Sequence, residues 1–271
     1  MIKLIYKNLG HKNKLHLNNF IIFLIKNKII NISFLPVNFR NFISGEMVFN
    51  YRKSLKKDPR GFYFVYPQFK SSYLDNYYKN LYWTQFRGDN QISISQRDIE
   101  HYNLIIKNTG DFFLSKKRTF LNFGSGHGGV SFLFYYNGHK IINIDPDENI
   151  DNPIEFEKDR WSKLYSLNNL NSQIDFFYSS HSLEHVADID DFLNIVNQKL
   201  TKNKSTYLFF EVPDGDHELN GGKSGKIMTP HTYYFTTDFF KNLSIENHYL
   251  QKEYRVIRYL GLYKKGKIKV H

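Results

Sequence analysis

The 271-residue sequence contains no cysteine. Disulfides and thiolate metal sites are therefore excluded, although the absence says little about redox compartment. Long apolar runs are missing too. The best of them, Phe20-Ile21-Ile22-Phe23-Leu24-Ile25, is stopped by Lys26 and Lys28. It is too short to span a bilayer, and no small-residue cleavage site follows it convincingly. Nor is the positive charge concentrated. The formal charge of +11 favours anionic partners. Apart from Lys56-Lys57, Lys116-Lys117-Arg118 and Lys264-Lys265, however, the basic residues are scattered. Nucleic acid therefore ranks behind nucleotide sugars and phosphorylated glycans as a partner. There is no internal repeat. What the chain does have is apolar material, 41% of residues with 17% aromatic, ample for a packed core. Its length suits one α/β domain with an appendage, or two small domains.

The most informative stretch is Leu121-Asn122-Phe123-Gly124-Ser125-Gly126-His127-Gly128-Gly129, followed by an apolar run and Ile142-Asn143-Ile144-Asp145. An apolar strand enters a glycine turn, a helix leaves it, and a second strand ends in an acid. Gly124 and Gly126 can take backbone angles closed to other residues and let a ligand lie against the main chain. The helix starting near Gly128 turns free N–H groups toward that ligand. Asp145 stands where an acid at the tip of a second strand reaches a ribose hydroxyl. The spacing alone fits two cofactors. Gly124, Gly126 and Gly129 match the dinucleotide pattern G-x-G-x-x-G, whereas Gly124, Gly126 and Gly128 match the G-x-G-x-G of S-adenosylmethionine (SAM) sites.

Downstream segments separate the two. Asp175-Phe176-Phe177-Tyr178-Ser179-Ser180-His181-Ser182-Leu183-Glu184-His185-Val186 reads as a fourth strand running into a helix. Tyr207-Leu208-Phe209-Phe210-Glu211-Val212-Pro213-Asp214 reads as a fifth strand ending in acids. Thr229-Pro230-His231-Thr232-Tyr233-Tyr234-Phe235-Thr236 precedes a further helix. Over residues 73–260 this order resembles the class I SAM-dependent methyltransferases, in particular a branch active in bacterial surface-glycan and small-molecule metabolism. The resemblance implies an α/β fold: a Rossmann-like, mostly parallel seven-stranded sheet with helices on both faces, an N-terminal extension and a helical cap. It implies SAM as cofactor, held by Asn122, Gly124, Ser125, Gly126, Asp145, Pro146, Ser180 and His181. One departure stands out. The family usually has an acid two residues before the first glycine, and Asn122 lacks the charge that would attract the cofactor's amino group and sulfonium.

Organisation along the chain follows from periodicity. Residues 1–72 form a basic extension, with a candidate strand over 29–35 and a turn-rich link from Lys56 to Gly61. The methyltransferase domain is expected over 73–271, its N-terminal helices over 73–118 and its core over 119–271. Tyr73 to Gly88 has aromatics at helical spacing, with Tyr77, Leu81 and Tyr82 near one face. Ser95 to Ile106 reads as a second helix with Ser95 as N-cap. Strand (119–124), helix (128–137), strand (140–145), strand (174–180), helix (188–200) and strand (206–212) follow, a pattern that implies a mostly parallel sheet. An irregular segment carries Asp159-Arg160-Trp161. A helix at 237–242 and closing antiparallel strands in Tyr249 to Val270 complete the chain.

Methyl transfer to an alcohol needs a base within hydrogen-bond reach. His181, Asp214, His217 and His231 are the candidates. Trp161 could stack on adenine, and Asp159 could accept from its amino group. The loop Asn220 to Lys226 is basic and suited to closing over a phosphate. Glu211, Asp214, Asp216 and His217 could ligate a divalent ion, but their spacing is not diagnostic and no metal site is expected. The reading is a cytoplasmic SAM-dependent O-methyltransferase acting on a sugar, nucleotide-linked or phosphorylated surface-glycan precursor. Its rivals are a non-catalytic scaffold or partner subunit, and a nicotinamide-dependent oxidoreductase.

Overall fold

The structure is a computed structural model that describes residues 54–66, 68, 71–79, 94–147, 156–200, 205–220, 231–264 and 268–270. The expected strand over 29–35, Leu81 and Tyr82, and the basic loop at 221–226 lie outside these residues. In chain order the described elements begin with β1 (Ser54–Asp58), β2 (Phe62–Tyr66), α1 (Ser71–Tyr77) and α2 (Gln96–Thr109). Strands and helices then alternate as β3 (Thr119–Phe123), α3 (Gly129–Tyr136), β4 (Lys140–Ile144), β5 (Trp161–Leu164), β6 (Phe176–Ser180), α4 (Ile189–Leu200) and β7 (Thr206–Pro213). The last described elements are α5 (Gly215–Asn220), β8 (Tyr233–Phe235), α6 (Thr237–Lys241), β9 (Glu246–Glu253) and β10 (Val256–Tyr263).

Seven strands form one sheet in the order β5-β4-β3-β6-β7-β10-β9. The first five are parallel, and β10 and β9 close the sheet antiparallel. The expected seven-stranded, mostly parallel Rossmann-like sheet is observed. Its parallel strands are apolar on both faces because helices cover both. Alternation within each strand separates two cores. Phe120, Phe176 and Phe209 face α2 and α3, while Leu121, Phe177, Leu208 and Phe210 join the cluster that contains α4 and α6 residues. The first core is aromatic: the Phe120 ring stacks on Phe134 at 4.2 Å and on Phe176 at 5.3 Å. In α4, Ile189, Phe192, Leu193, Val196 and Leu200 are buried at helical spacing, and the Asp188 carboxylate caps the N–H groups of Asp190 and Asp191. Ser95 caps α2 as expected, in a reciprocal capping box with Asp98. Among the described residues no helix is long and apolar enough to cross a membrane.

Two sequence expectations need correction. The segment from Lys56 to Gly61 is a hairpin rather than a link: β1, β2 and β8 form a second, antiparallel sheet in the order β1-β2-β8. Pairing of Phe62 with Phe235 and of Phe64 with Tyr233 ties residues 54–66 to the methyltransferase part. Ser54 to His271 form one compact unit. The irregular segment around Trp161 also hides a strand, since Trp161–Leu164 pairs with Ile141–Ile144 as the edge of the main sheet. Four residues are too few for periodicity to register.

Candidate active site

The glycine turn lies at the carboxyl edge of β3, where ligands of parallel sheets bind. Gly124, Gly126 and Gly128 have φ of 71°, 49° and 73°, left-handed values that favour glycine. The N–H groups of Gly124 and Ser125 both donate to the Ile144 carbonyl, at 2.8 and 3.0 Å, and the Gly128 N–H donates to Ser125 O. A Cβ on Gly124 would stand 1.8 Å from the Ser182 hydroxyl, so the turn also needs glycine to admit the loop after β6. The turn thus leaves a bare main-chain surface ahead of α3.

Asp145 ends β4 and is buried. Its two carboxylate oxygens accept from the N–H of Gly126 (2.9 Å) and of Asp147 (3.0 Å), and the turn through Pro146 closes between them. Burial pushes its pKa up against those two hydrogen bonds. Asn122 turns inward. Its amide donates to Ser131 Oγ at 2.9 Å, and that hydroxyl donates to Asn143 Oδ1 at 2.6 Å. This buried chain ties β3, α3 and β4 together, so the neutral amide braces the turn from below.

Beyond β6, His181 has the uncommon φ of 50° for a non-glycine residue. Its Nδ1 lies 3.5 Å from Glu184 Oε1 and its Nε2 lies 3.3 Å from Glu211 Oε1. Burial disfavours the imidazolium, but the two carboxylates outweigh it and push the pKa up to about 9. Ser180 Oγ donates to Glu211 at 3.1 Å. Glu211, buried in β7, also takes 2.7 Å contacts from His101 Nε2 and Arg258 Nε. Burial alone would raise its pKa; the donors from His101, His181 and Arg258 hold it well below the carboxylate range. His101, on α2, was not among the expected site residues. It sits in an otherwise ordinary amphipathic helix, and its partners Tyr178 and Glu211 lie 77 and 110 residues away.

His231 stands just before β8. Its Nδ1 is 3.1 Å from Glu218 Oε2 on α5, and its ring meets His185 edge-on at 5.0 Å. The Thr232 N–H donates to the Glu184 carbonyl at 2.8 Å, fixing this segment against the turn after β6. Glu184, His185 and His231 bring ligand-type atoms within 4.8 Å of one another. Tyr78, just past α1, covers His185 with its ring at 5.2 Å. The structure therefore gathers His181 and His231 around Glu184, and leaves the other two base candidates elsewhere. Asp214 is fully buried with Lys252 Nζ 2.7 Å from Oδ2. His217 faces Tyr254 in the β9–β10 turn, at 6.3 Å. The residues expected against adenine lie at and just before β5. Trp161 opens β5 at the amino edge of the sheet and packs in the core against Phe156 and Tyr135. Asp159 is exposed in the turn before it. Although β5 starts at the amino edge, the Trp161 ring reaches toward the glycine turn at the carboxyl edge, 3.6 Å from where a Cβ on Gly128 would stand. The residues that β5 does carry to that edge are Tyr165 and Ser166.

A parallel sheet with a glycine turn after its first core strand and an acid closing the next defines a nucleoside-cofactor enzyme of Rossmann-like class. Residues 96–259 match the family described as "Methyltransferase domain", and the chain belongs to it. SAM is the cofactor of that family. Among curated proteins nothing matches. Magnesium protoporphyrin IX methyltransferase from Synechocystis PCC 6803, solved with bound SAM, is 13% identical with a TM-score of 0.48, covering 72% of this chain and 97% of its own. A SAM-dependent methyltransferase from Mesorhizobium loti is 12% identical, TM-score 0.45, over 60% and 96% of the two chains. The plantazolicin methyltransferase BpumL is 10% identical, TM-score 0.45, over 61% and 85%.

Proposed function

We propose that this chain is a cytoplasmic O-methyltransferase of polar, anionic metabolites, in particular sugar, nucleotide-linked or phosphorylated surface-glycan precursors. The residues at the glycine turn fit SAM. Gly124, Ser125 and Gly126 offer main chain, Asp145 offers a carboxylate for ribose hydroxyls, and Ser180 and His181 border the methionine side. When bound, SAM supplies an electrophilic methyl group on a sulfonium. The chain's own residues position the acceptor and manage its proton, since in-line displacement depends chiefly on orientation. His181, held as a cation between Glu184 and Glu211, suits the cofactor's carboxylate.

The observation that carries the oxygen-acceptor reading is the group of Glu184, His185 and His231 on the acceptor side, with Glu218 orienting His231. An alcohol is too weakly acidic to react unaided, whereas a thiol or amine needs less help. The net charge of +11 supports an anionic acceptor. Screening nucleotide sugars and phosphorylated glycans for S-adenosylhomocysteine formation tests the reading. With the acceptor found, His231→Ala should lower turnover by about two to four orders of magnitude while SAM affinity stays near wild type. Undiminished turnover would remove His231 from the reaction. SAM binding without product from any acceptor class would favour a scaffold.

A further inference from the structure

Glu184 is 1% exposed, and neither of its carboxylate oxygens has a hydrogen-bond partner. The nearest imidazole nitrogens, His181 Nδ1 at 3.5 Å and His185 Nε2 at 3.7 Å, stand off at ion-pair rather than close hydrogen-bond distance. A buried carboxylate whose oxygens take no close donor is well placed to meet a compact cation. The neighbours are arranged to help. His185 follows Glu184 directly, and His231 is brought in by the Thr232–Glu184 main-chain bond. Glu218 holds Nδ1 of His231, leaving Nε2 as its second coordinating atom. An outer carboxylate that orients a histidine in this way is the usual support of a metal ligand.

We propose that Glu184, His185 and His231 bind one divalent transition-metal ion. Two imidazoles suit a borderline ion such as Zn2+, and the carboxylate beside them also admits the harder Mn2+, ahead of Ca2+. Three protein ligands leave coordination positions open. The site adjoins the glycine turn through Ser182, which abuts Gly124, and through His181. An acceptor hydroxyl bound at an open position would be acidified by the ion. His231 then serves as a ligand, and the ion replaces it as the group that activates the hydroxyl. The inference rests on the methyltransferase reading only for that last role.

The test uses the full chain, freed of any affinity tag and stripped with chelator, without SAM or acceptor. Calorimetric titration with Zn2+ and Mn2+ should show one ion bound per chain. Glu184→Gln and His231→Ala should each weaken binding by about tenfold or more, and Glu218→Gln by a similar factor through loss of orientation. His248→Ala, at a histidine outside the site, should bind as wild type. Absence of binding in wild type, or equal binding in Glu184→Gln and His231→Ala, overturns the proposal. Should those variants fail to fold, Co2+ added to the wild type decides: visible bands that Zn2+ abolishes are expected, and a spectrum identical to aqueous Co2+ overturns the site. A chain that binds SAM but no ion sinks only this inference. One that binds the ion but not SAM sinks the methyltransferase reading instead.

Discussion

Asp145 joins a turn-shaping task to the ribose-binding task proposed for it. Its oxygens accept from Gly126 and Asp147 and so shape the glycine turn. Replacement by alanine should therefore weaken SAM by about 1.5–3 kcal/mol and also lower the melting temperature, since two N–H groups lose a charged acceptor. Asp145→Asn should lose affinity as well, because its NH2 end faces an N–H donor. Calorimetry with both variants checks this, and a loss below a few-fold would confine Asp145 to the turn. The glycine spacing and the acid were legible because backbone angles and charge restrict which residues stand there. The direction of Asn122 was not legible. Its amide points into the core because Ser131 and Asn143, on two other elements, offer a hydroxyl and a carbonyl. A carboxylate at 122 would sit in that buried chain without a donor for both oxygens.

Elements with long, regular patterns were readable from sequence: β3, α3, β4, α4 and β7 start and stop within about two residues of expectation, because burial on fixed faces dictates their composition. The small sheet was not. Its strands are short, and β2 finds β8 across most of the chain, which no local pattern encodes. Gly61 shows how tightly this sheet is fastened. Its φ is 97°, and an added Cβ would lie 2.3 Å from the Phe239 main-chain nitrogen. Thr236 donates to the Gly61 carbonyl from both its N–H (3.0 Å) and its hydroxyl (2.8 Å), while that hydroxyl caps α6. Gly61→Ala should destabilise the protein by about 1–3 kcal/mol through strain and displacement. In a chain of this size that is a fall of roughly 2–12 °C in melting temperature by scanning calorimetry. An unchanged melting temperature would mean that the hairpin contributes little to the folded unit.

For the molecule as a whole, acid stability should carry the mark of His139. It is 3% exposed at the start of β4, and its Nδ1 accepts the Arg118 N–H. Burial, then the cations of Lys117, Arg118 and Arg160, lower its pKa from 6.5 to about 4. Because the unfolded chain takes up this proton first, stability is complete above about pH 6.5 and declines as pH falls toward 4, by at most about 3 kcal/mol. Urea titrations across that range should show a shallower decline in His139→Asn; parallel curves would dismiss the histidine as the cause.

The order of strands has a consequence for biosynthesis. Glu211 is translated 47 residues ahead of Arg258, the guanidinium that lies 2.7 Å from its carboxylate, and β10 joins the sheet between β7 and β9. While the chain is still on the ribosome, β7 must hold an acid in an apolar strand before its guanidinium partner exists, with His101 and His181 alone of the three basic partners already made. A nascent chain halted at the β9–β10 turn would therefore hold Glu211 with two histidines but no guanidinium, and is expected to be a target for chaperones.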